Sequence, residues 1–351
     1  MRPERRGAAP APRGEAPAKG REAPVKGREA PGQGREAPGQ GRSAPGKRGS
    51  ASVRAPAGRP RWSEFGVEAL IRVLGFSTVG FVLMIFAFLL REGLPVFFEL
   101  PAGALLGRLW YPTFGSFGAL PLVLGSALVT LLAVLIAVPL GVAAAVFVRE
   151  VAPHWAREVL KPLIEVLAGI PSVVLGFFGM SVLAPLVRQW LGAPTGLTAF
   201  TGALVLAYMS LPTIISVAED ALDAVPRSYR DAGLAMGATR WQTTWRVVVP
   251  AGRSGVIMAA MLGMGRAIGE TMAVMMVTGN AARLPLDAAA LFKPVRTMTA
   301  TIAAEMGEVA RGGVHYHALF GIGILLFLLT FLINLAAARS IFRRRRKGGL
   351  R

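Results

Sequence analysis

The chain has 351 residues, of which 53% are hydrophobic, and it carries a formal net charge of +19, a mean hydropathy of +0.50 and no cysteine. Apolar runs too long for a soluble core indicate an integral membrane protein, and the lack of cysteine excludes disulfides and thiolate metal sites. Residues 1–61 hold 15 Lys/Arg and five Glu, and residues 339–351 hold seven Lys/Arg and no acid. The positive charge therefore belongs to the two ends rather than to a nucleic-acid-binding domain.

Residues 1–61 form a low-complexity segment in which a seven-residue unit recurs four times, for example as GREAPGQ from Gly27. Such a composition buries too little apolar surface to offset the entropy of ordering, so we expect a disordered cytoplasmic tail. The run GRSAPGK from Gly41 lacks the Ser/Thr and the preceding strand of a Walker A loop. The tail either rests on anionic lipid headgroups or is solvated without a function; without interleaved aromatic residues, nucleic-acid binding is less favoured.

Six apolar stretches are long enough to cross a bilayer, for which about 20 residues are needed. They lie at 70–90, 119–148, 160–187, 200–218, 256–278 and 318–338. The third is interrupted by Gly169 and Pro171, which predicts a broken or bent helix at that place. The predicted fold is an all-α polytopic membrane protein with six transmembrane helices.

The basic residues at both ends predict that both termini lie in the cytoplasm, which requires an even number of spans. The loops at 149–159 and 219–255 are then cytoplasmic, and those at 92–118, 188–199 and 279–317 are external. The last of these contains four Lys/Arg and is a mild exception to the rule. Residues 62–118 comprise the first span and the external loop at 92–118, and this loop is either a docking surface for another protein or a simple connection.

The polar segment at 219–250 predicts two short helices joined by a turn. Pro226 suits the first turn of a helix, and Gly237 supplies the backbone freedom for a sharp turn. Thr239 and Gln242 match a capping box at the start of the second helix, which we expect Pro250 to end. An ordinary amphipathic hairpin at the membrane face is the alternative.

The same segment carries a spaced motif. Asp231, Ala232 and Gly233 are followed after three residues by Gly237 and after nine more by VVVP, which ends at Pro250. This spacing resembles the EAA loop of ABC-importer permeases, with Asp in place of Glu, Gly in place of the second Ala, and Val in place of Ile and Leu. In that family the loop docks on a cytoplasmic ATPase, so the resemblance implies that these five residues couple the chain to an ATPase.

The run GRAIGETMAVMMVTGN at 265–280 is similar to the permease subunits of phosphate importers within that family, and the resemblance extends over about 119–338. It implies a MetI-like bundle in the bacterial inner membrane that translocates inorganic phosphate. The implied partners are a second permease subunit, a cytoplasmic ATPase and an external phosphate-binding protein. ATP and Mg²⁺ would be bound by the ATPase, so this chain is expected to need no cofactor and to be no enzyme.

Arg266 and Glu270 lie four residues apart in the fifth predicted span and are expected to share one helix face. Charges inside a bilayer are costly, so they usually pair or line an aqueous path, and the planar guanidinium suits a phosphate oxyanion. We expect Arg266, Glu270, Thr271 and Ser172 to line the substrate pathway, with Glu270 holding Arg266 in place or releasing it to substrate. The alternatives are a structural ion pair, and a packing kink at Ser172 without substrate contact.

Gly265 and Gly269 form a small-xxx-small face that predicts close packing, either against a partner subunit or within this chain. The sequence contains no HExxH or GxSxG motif, and its three histidines form no metal-ligand set, so an enzyme is not indicated. A permease for another oxyanion or small solute remains an alternative. A membrane scaffold or sensor without transport is a further one.

Overall fold

Helices dominate the computed structural model, which describes residues 62–101 and 103–348. The predictions for residues 1–61 and 349–351 lie outside the described residues. The helices are α1 (Trp62–Gly93), α2 (Val96–Glu99), α3 (Leu120–Val146), α4 (His154–Ala168), α5 (Ser172–Phe178), α6 (Ala184–Leu191), α7 (Ala199–Asp223), α8 (Arg227–Ala235), α9 (Arg240–Thr243), α10 (Val249–Gly269), α11 (Met272–Val277), α12 (Met298–Glu305) and α13 (Val314–Gly348). Two short antiparallel strands, β1 (Trp110–Tyr111) and β2 (Ser116–Phe117), precede α3. Residues 339–348 of the predicted C-terminal tail continue α13.

Six helical stretches in the described part of the chain are long and apolar enough to cross a membrane. They are Gly66–Glu99, Leu120–Val151, Ser172–Leu191, Ala199–Asp223, Arg240–Gly269 and Val314–Ala336. The all-α, six-span prediction is therefore confirmed, but the third span begins at Ser172 rather than at residue 160. Pro171 cannot continue a helix, and it disfavours helical geometry in the residue before it. The chain accordingly divides there, and α4 becomes a separate helix with no buried residue.

The fifth span differs from its prediction at both ends. Pro250 does not end a helix: it lies in the first turn of α10, and the chain is helical from Arg240 to Gly269. Proline breaks helices because its ring crowds the carbonyl four residues earlier and because it has no N–H. The wider π-helical turn at Thr244–Val248 accommodates that ring just before Pro250. The helix then stops at Gly269, nine residues before the predicted end.

The main core lies between α3, α7 and α10 and is built largely from small residues such as Ala133, Ala137 and Ala203, all 0–1% exposed. Their size lets the helices approach closely, as is common in membrane bundles. A Cβ on Gly141 of α3 would lie 2.6 Å from the side chain of Ile214 on α7, and a Cβ on Gly125 would overlap the carbonyl oxygen of Arg296. The helices of this core are therefore as close as their glycines permit.

A second core lies at the end of the bundle where α3 begins, and there the segment at 92–118 packs against α12 and α13. Trp110 is 2% exposed, and its indole Nε1 donates to Glu305, 3.1 Å from Oε2. The same carboxylate lies 2.8 Å from Arg296 Nη1 and 2.8 Å from His315 Nε2. Glu305 thus joins β1, the segment before α12 and the start of α13, and the buried residues of the loop at 92–118 form a layer packed on α12 and α13.

The close approach at Gly125 predicts that even a single added methyl group destabilises the fold. We expect Gly125→Ala to lower the midpoint of thermal unfolding in detergent by several degrees, because the backbone of Arg296 cannot move away cheaply. Gly80→Ala in α1 is the matched control, since a Cβ there meets no atom within 4 Å. Equal unfolding midpoints for the two variants would contradict the packing described here.

Candidate functional site

The segment after α7 folds as a short helix, a sharp turn and the start of a long helix. Gly237 has φ of +80°, a value that residues with a Cβ rarely adopt, which confirms the predicted turn. The capping box is confirmed as well. Gln242 N donates to Thr239 Oγ1 at 3.2 Å, and Thr239 N donates to Gln242 Oε1 at 2.9 Å. The fold of this segment follows from its local sequence.

The resemblance-derived coupling residues are divided between the surface and the interior. Asp231 and Ala232 of α8 are exposed, whereas Gly233 is buried, and a Cβ there would lie 2.9 Å from the side chain of Thr243. The small residue at position 233 therefore allows α8 to pack against the next helix. Pro250 lies at the start of α10, beyond the π-helical turn.

Large apolar side chains are exposed around this turn, and the sequence analysis did not single them out. They are Tyr229, Met236 and Trp241, with exposed fractions of 52%, 82% and 60%. Large exposed apolar side chains in a polar segment are candidates for an interaction surface. The signal present in the sequence was two aromatic residues and a methionine inside a segment that is otherwise polar.

Arg230 fastens α8 to the bundle. Its Nη2 lies 2.7 Å from Glu150 Oε1, after the end of α3, and donates to Leu222 O at 2.9 Å; its Nη1 donates to Val225 O at 2.7 Å. The side chains of Arg230 and Glu150 are only 18% and 12% exposed. One guanidinium therefore joins α8 to the ends of α3 and α7. We call these contacts the Arg230 clasp.

Further ion pairs join the ends of α3 and α7 to each other and to α4. Arg149 pairs with Asp223, and Lys161 of α4 lies 3.0 Å from Glu219 Oε2 of α7. The hydrogen bond to the Glu219 carboxylate raises the pKa of the Lys161 ammonium, which stays charged at neutral pH. Lys161 is half exposed, so this pair contributes little stability, but it supplies a partner for Glu219, which is only 8% exposed.

The fifth span is broken between α10 and α11. Glu270 has an extended backbone, with φ of −71° and ψ of 128°, and α11 begins two residues later. Thr299 Oγ1 donates to Glu270 O at 3.1 Å, Ala273 N donates to Glu270 Oε1 at 3.3 Å, and Thr271 Oγ1 donates to Gly269 O at 3.2 Å. Polar groups freed by the break thus find partners inside the protein, as a non-aqueous environment requires.

In the described structure, Arg266 and Glu270 bind different partners. Arg266 lies in the last turn of α10, and Glu270 is the first residue after that helix. Arg266 Nη1 donates to Thr213 Oγ1 of α7 at 3.3 Å, and in the described part of the chain no ion pair joins Arg266 to Glu270. The Glu270 carboxylate faces the start of α11, where it accepts from Ala273 N.

Ser172 lies at the same level as the break. A Cβ on Gly176 of α5 would lie 2.9 Å from Ala273 of α11, and a Cβ on Gly179 would lie 2.8 Å from Val277. The two helices therefore run parallel, and Ser172, four residues before Gly176, is level with the residues just before α11. Ser172, Glu270 and Thr271 therefore lie at similar positions along the axes of these helices. Arg266 lies about one helical turn, roughly 5 Å, from that level.

The space beside Gly265 and Gly269 of α10 is not filled by other atoms of the described chain. A Cβ added to either residue would meet no atom within 4 Å. In the part of the chain that the structure describes, the small-xxx-small face is therefore not packed against another helix.

Comparisons with known proteins place these features in context. Residues 137–347 match the family described as binding-protein-dependent transport system inner membrane component. The probable ABC transporter permease protein YqgH of Bacillus subtilis is 43% identical over 228 residues, which cover 64% of this chain and 73% of that protein. The phosphate transport system permease protein PstC of Mesorhizobium japonicum is 39% identical over 254 residues, which cover 67% of this chain and 76% of that protein.

Solved structures show the same fold at lower identity. A bacterial alginate ABC transporter, in complex with an alginate pentasaccharide-bound periplasmic protein, superposes with a TM-score of 0.54 at 14% identity. The superposition covers 80% of this chain and 96% of that one. At this identity the likeness concerns the fold alone.

The Arg230 clasp predicts that a lysine cannot replace the arginine. Arg230→Lys should speed trypsin cleavage within α8 and lower the unfolding midpoint, because one ammonium group cannot contact Glu150 and two carbonyls with the geometry of a planar fork. Arg227→Lys is the matched control, since Arg227 is exposed on the same helix and both variants keep their trypsin sites. If the two variants are cleaved at the same rate, the clasp does not hold α8.

Proposed function

Because this chain belongs to the family of binding-protein-dependent transport system inner membrane components, we propose that it is the membrane-spanning subunit of an ATP-driven importer for inorganic phosphate. The assignment of phosphate as the substrate rests on the 39% identity to the PstC protein over two thirds of the chain. The aligned residues make up 76% of that PstC protein. The importer would also contain a second permease subunit, a cytoplasmic ATPase and an external phosphate-binding protein.

The distribution of charge supports an orientation of the chain in the membrane. The basic ends favour a bacterial inner membrane protein with both termini in the cytoplasm. The turn at Gly237 and the Arg230 clasp then face the cytoplasm. The layer around Glu305 faces outward, because the 27 residues of α3, about 40 Å of helix, separate the two ends. A binding protein would reach the outer layer, and an ATPase would reach the turn.

Energy coupling would pass through α8. The exposed surface of Tyr229, Met236 and Trp241 offers apolar area for an ATPase groove, and the neighbouring Asp231 and Ala232 are also exposed. The sequence contains no complete Walker A loop, so ATP and Mg²⁺ would be bound by the ATPase subunit and this chain would not be an enzyme. Since the Arg230 clasp joins α8 to α3 and α7, movement of α8 would be transmitted to both.

Arg266 is the residue best suited to contact the anion. It has one side-chain hydrogen bond, to Thr213, which leaves most of its five N–H donors for a phosphate oxygen. An arginine inside a membrane span costs about 2.5–3.5 kcal/mol on the mildest scale. Without an ion pair to Glu270, that cost supports a ligand role more than a scaffolding role. Glu270, Thr271 and Ser172 would line the path at the level of the break.

Stimulation of ATP hydrolysis tests the proposed function. The purified complex, with its binding protein present, should hydrolyse ATP faster when inorganic phosphate is added than when sulfate or chloride is added at equal ionic strength. Stimulation by another anion would identify a permease for that anion. No stimulation by any solute would favour a membrane scaffold or sensor.

The turn at Gly237 yields a prediction about coupling. Gly237→Val should insert normally but lose the ATPase on co-purification, because a β-branched residue at φ of +80° is strained. The strain is in the backbone alone, since a Cβ at this position meets no atom within 4 Å. Gly237→Asn is the matched control, because asparagine tolerates the left-handed region, and it should retain the ATPase. Undiminished co-purification of the valine variant would count against a coupling role for the turn.

The geometry of Arg266 and Glu270 yields a second prediction, which a double-mutant cycle tests. Arg266→Gln should reduce phosphate uptake at least about tenfold, since hydrogen bonds to charged groups contribute about 1.5–3 kcal/mol. Adding Glu270→Gln should not restore uptake, and the two changes should affect complex stability additively, because no ion pair joins the two residues in the described structure. Thr213→Val is the control, since it removes the partner of Arg266 but keeps the charge. Restored uptake in the double variant would show a charge pair instead.

A further inference from the structure

A cavity of about 310 Å³ lies at the end of the bundle opposite the Arg230 clasp. One wall is formed by Arg108 and Leu109, just before β1, and the other by the segment at 282–295 between α11 and α12. Val295, which is 1% exposed, forms part of its inner boundary and donates its backbone N–H to Thr278 O at 3.0 Å. The cavity therefore opens at the surface and ends against the C-terminal end of α11.

The lining carries an excess of positive charge. Its charged residues are Arg108, Arg283, Lys293 and Asp287, and Lys293 Nζ lies 2.8 Å from Asp287 Oδ2. The lysine lowers the pKa of the Asp287 carboxyl, so this pair is neutral overall at physiological pH. Within the described residues, neither Arg108 nor Arg283 has an ion pair or a side-chain hydrogen bond. Two guanidinium groups thus remain without a counter-charge.

These charges also bear on three of the four basic residues in the loop at 279–317. The loop at 279–317 holds four Lys/Arg although its predicted position is external, where the distribution of basic residues disfavours them. Arg296 and Lys293 are paired with Glu305 and Asp287. Arg283 lies on the cavity without a partner, so its charge is available to a ligand from outside the chain.

We propose that this cavity is an anion-reception site that takes a tetrahedral oxyanion, of which inorganic phosphate is the example, between Arg108 and Arg283. Guanidinium groups match the oxygens of such an ion in charge and in planar geometry. Water occupies about 30 Å³ per molecule in the liquid, so the cavity has room for a partly hydrated ion. The inference rests on the proposed function for the outward position of the cavity and for the choice of phosphate.

The site would hold the anion loosely. The cavity is open to solvent and both arginines are exposed, which favours an ion that arrives and leaves quickly. Unbalanced positive charge in a concave site raises the local concentration of anions and the rate at which they arrive. The cavity is therefore suited to receiving phosphate before it moves on to Arg266, not to retaining it.

The absence of cysteine allows a direct test, because Leu109→Cys would be the only thiol in this chain. Leu109 lines the cavity and is 62% exposed, so a thiol there is reachable in the assembled, detergent-purified complex. The thiol is modified with an anionic or with a cationic methanethiosulfonate reagent, and the two rates are compared. Each rate is measured from the increase in mass of this chain. Their ratio reports the local potential, since the reactivity of the thiol itself cancels. Leu106→Cys, 72% exposed and outside the cavity lining, is the matched control.

We expect the anionic reagent to be favoured at position 109 by about tenfold relative to position 106, in the range that charged clefts produce. Inorganic phosphate should abolish this preference, whereas chloride at equal ionic strength should leave most of it. Arg283→Gln should reduce the preference, and Arg311→Gln, an exposed arginine of the same loop, should not. The inference is overturned if phosphate and chloride act alike, or if positions 109 and 106 show the same ratio.

Two readouts separate this inference from the proposed function. If phosphate abolishes the labelling preference at position 109 but does not stimulate ATP hydrolysis, the cavity binds anions and the proposed function fails. If phosphate stimulates hydrolysis but leaves the labelling ratio unchanged, the cavity inference fails alone. Should Leu109→Cys prevent assembly, Leu284→Cys on the opposite wall serves the same measurement.

Discussion

A bilayer offers no water to a free backbone N–H or C=O, and this constraint governs how the chain interrupts its helices. At the break after Gly269, Thr299 supplies a donor to the carbonyl of Glu270, and the Glu270 carboxylate accepts from Ala273 N. The carboxylate that looked from the sequence like a partner for Arg266 therefore supports the backbone of α11. This use of Glu270 leaves Arg266 with Thr213 as its side-chain partner and gives the span an available cation beside a non-helical segment.

The cytoplasmic end in our proposal obeys a related rule, because charged groups there are also removed from water. Arg230 and Glu150 are both mostly buried, and removing one partner of such a pair typically costs about 3–5 kcal/mol. The pair joins α8 to the ends of two membrane-spanning helices, and neighbouring pairs bring in α4 as well. A force applied to α8 would thus reach the transmembrane core without passing through a flexible connection.

What the sequence could predict was set by the range of the interactions. The Gly237 turn and the Thr239–Gln242 capping box depend on residues within a few positions, and both were found where expected. The six spans follow from runs of apolar residues and were also correct in number. The helix through Pro250 was missed because a π-helical turn, which has no simple sequence signal, precedes it.

The errors and omissions at the candidate sites have one common cause. The contact of Arg230 with Glu150 joins residues 80 positions apart, and that of Arg266 with Thr213 joins residues 53 apart. Neither follows from helical periodicity, which instead suggested a pairing of Arg266 with Glu270. Glu305, which gathers Trp110, Arg296 and His315, was likewise outside the reach of local patterns.

Uptake of radiolabelled phosphate into proteoliposomes tests whether this chain is the membrane subunit of an ATP-driven phosphate importer. The vesicles would contain this chain with its second permease subunit and ATPase, ATP would be enclosed or supplied on the ATPase side, and the binding protein would be added on the other. We expect accumulation that requires both ATP and the binding protein. Excess unlabelled phosphate should suppress it, and excess sulfate should not. Accumulation that is absent, or that persists without ATP, would contradict this expectation.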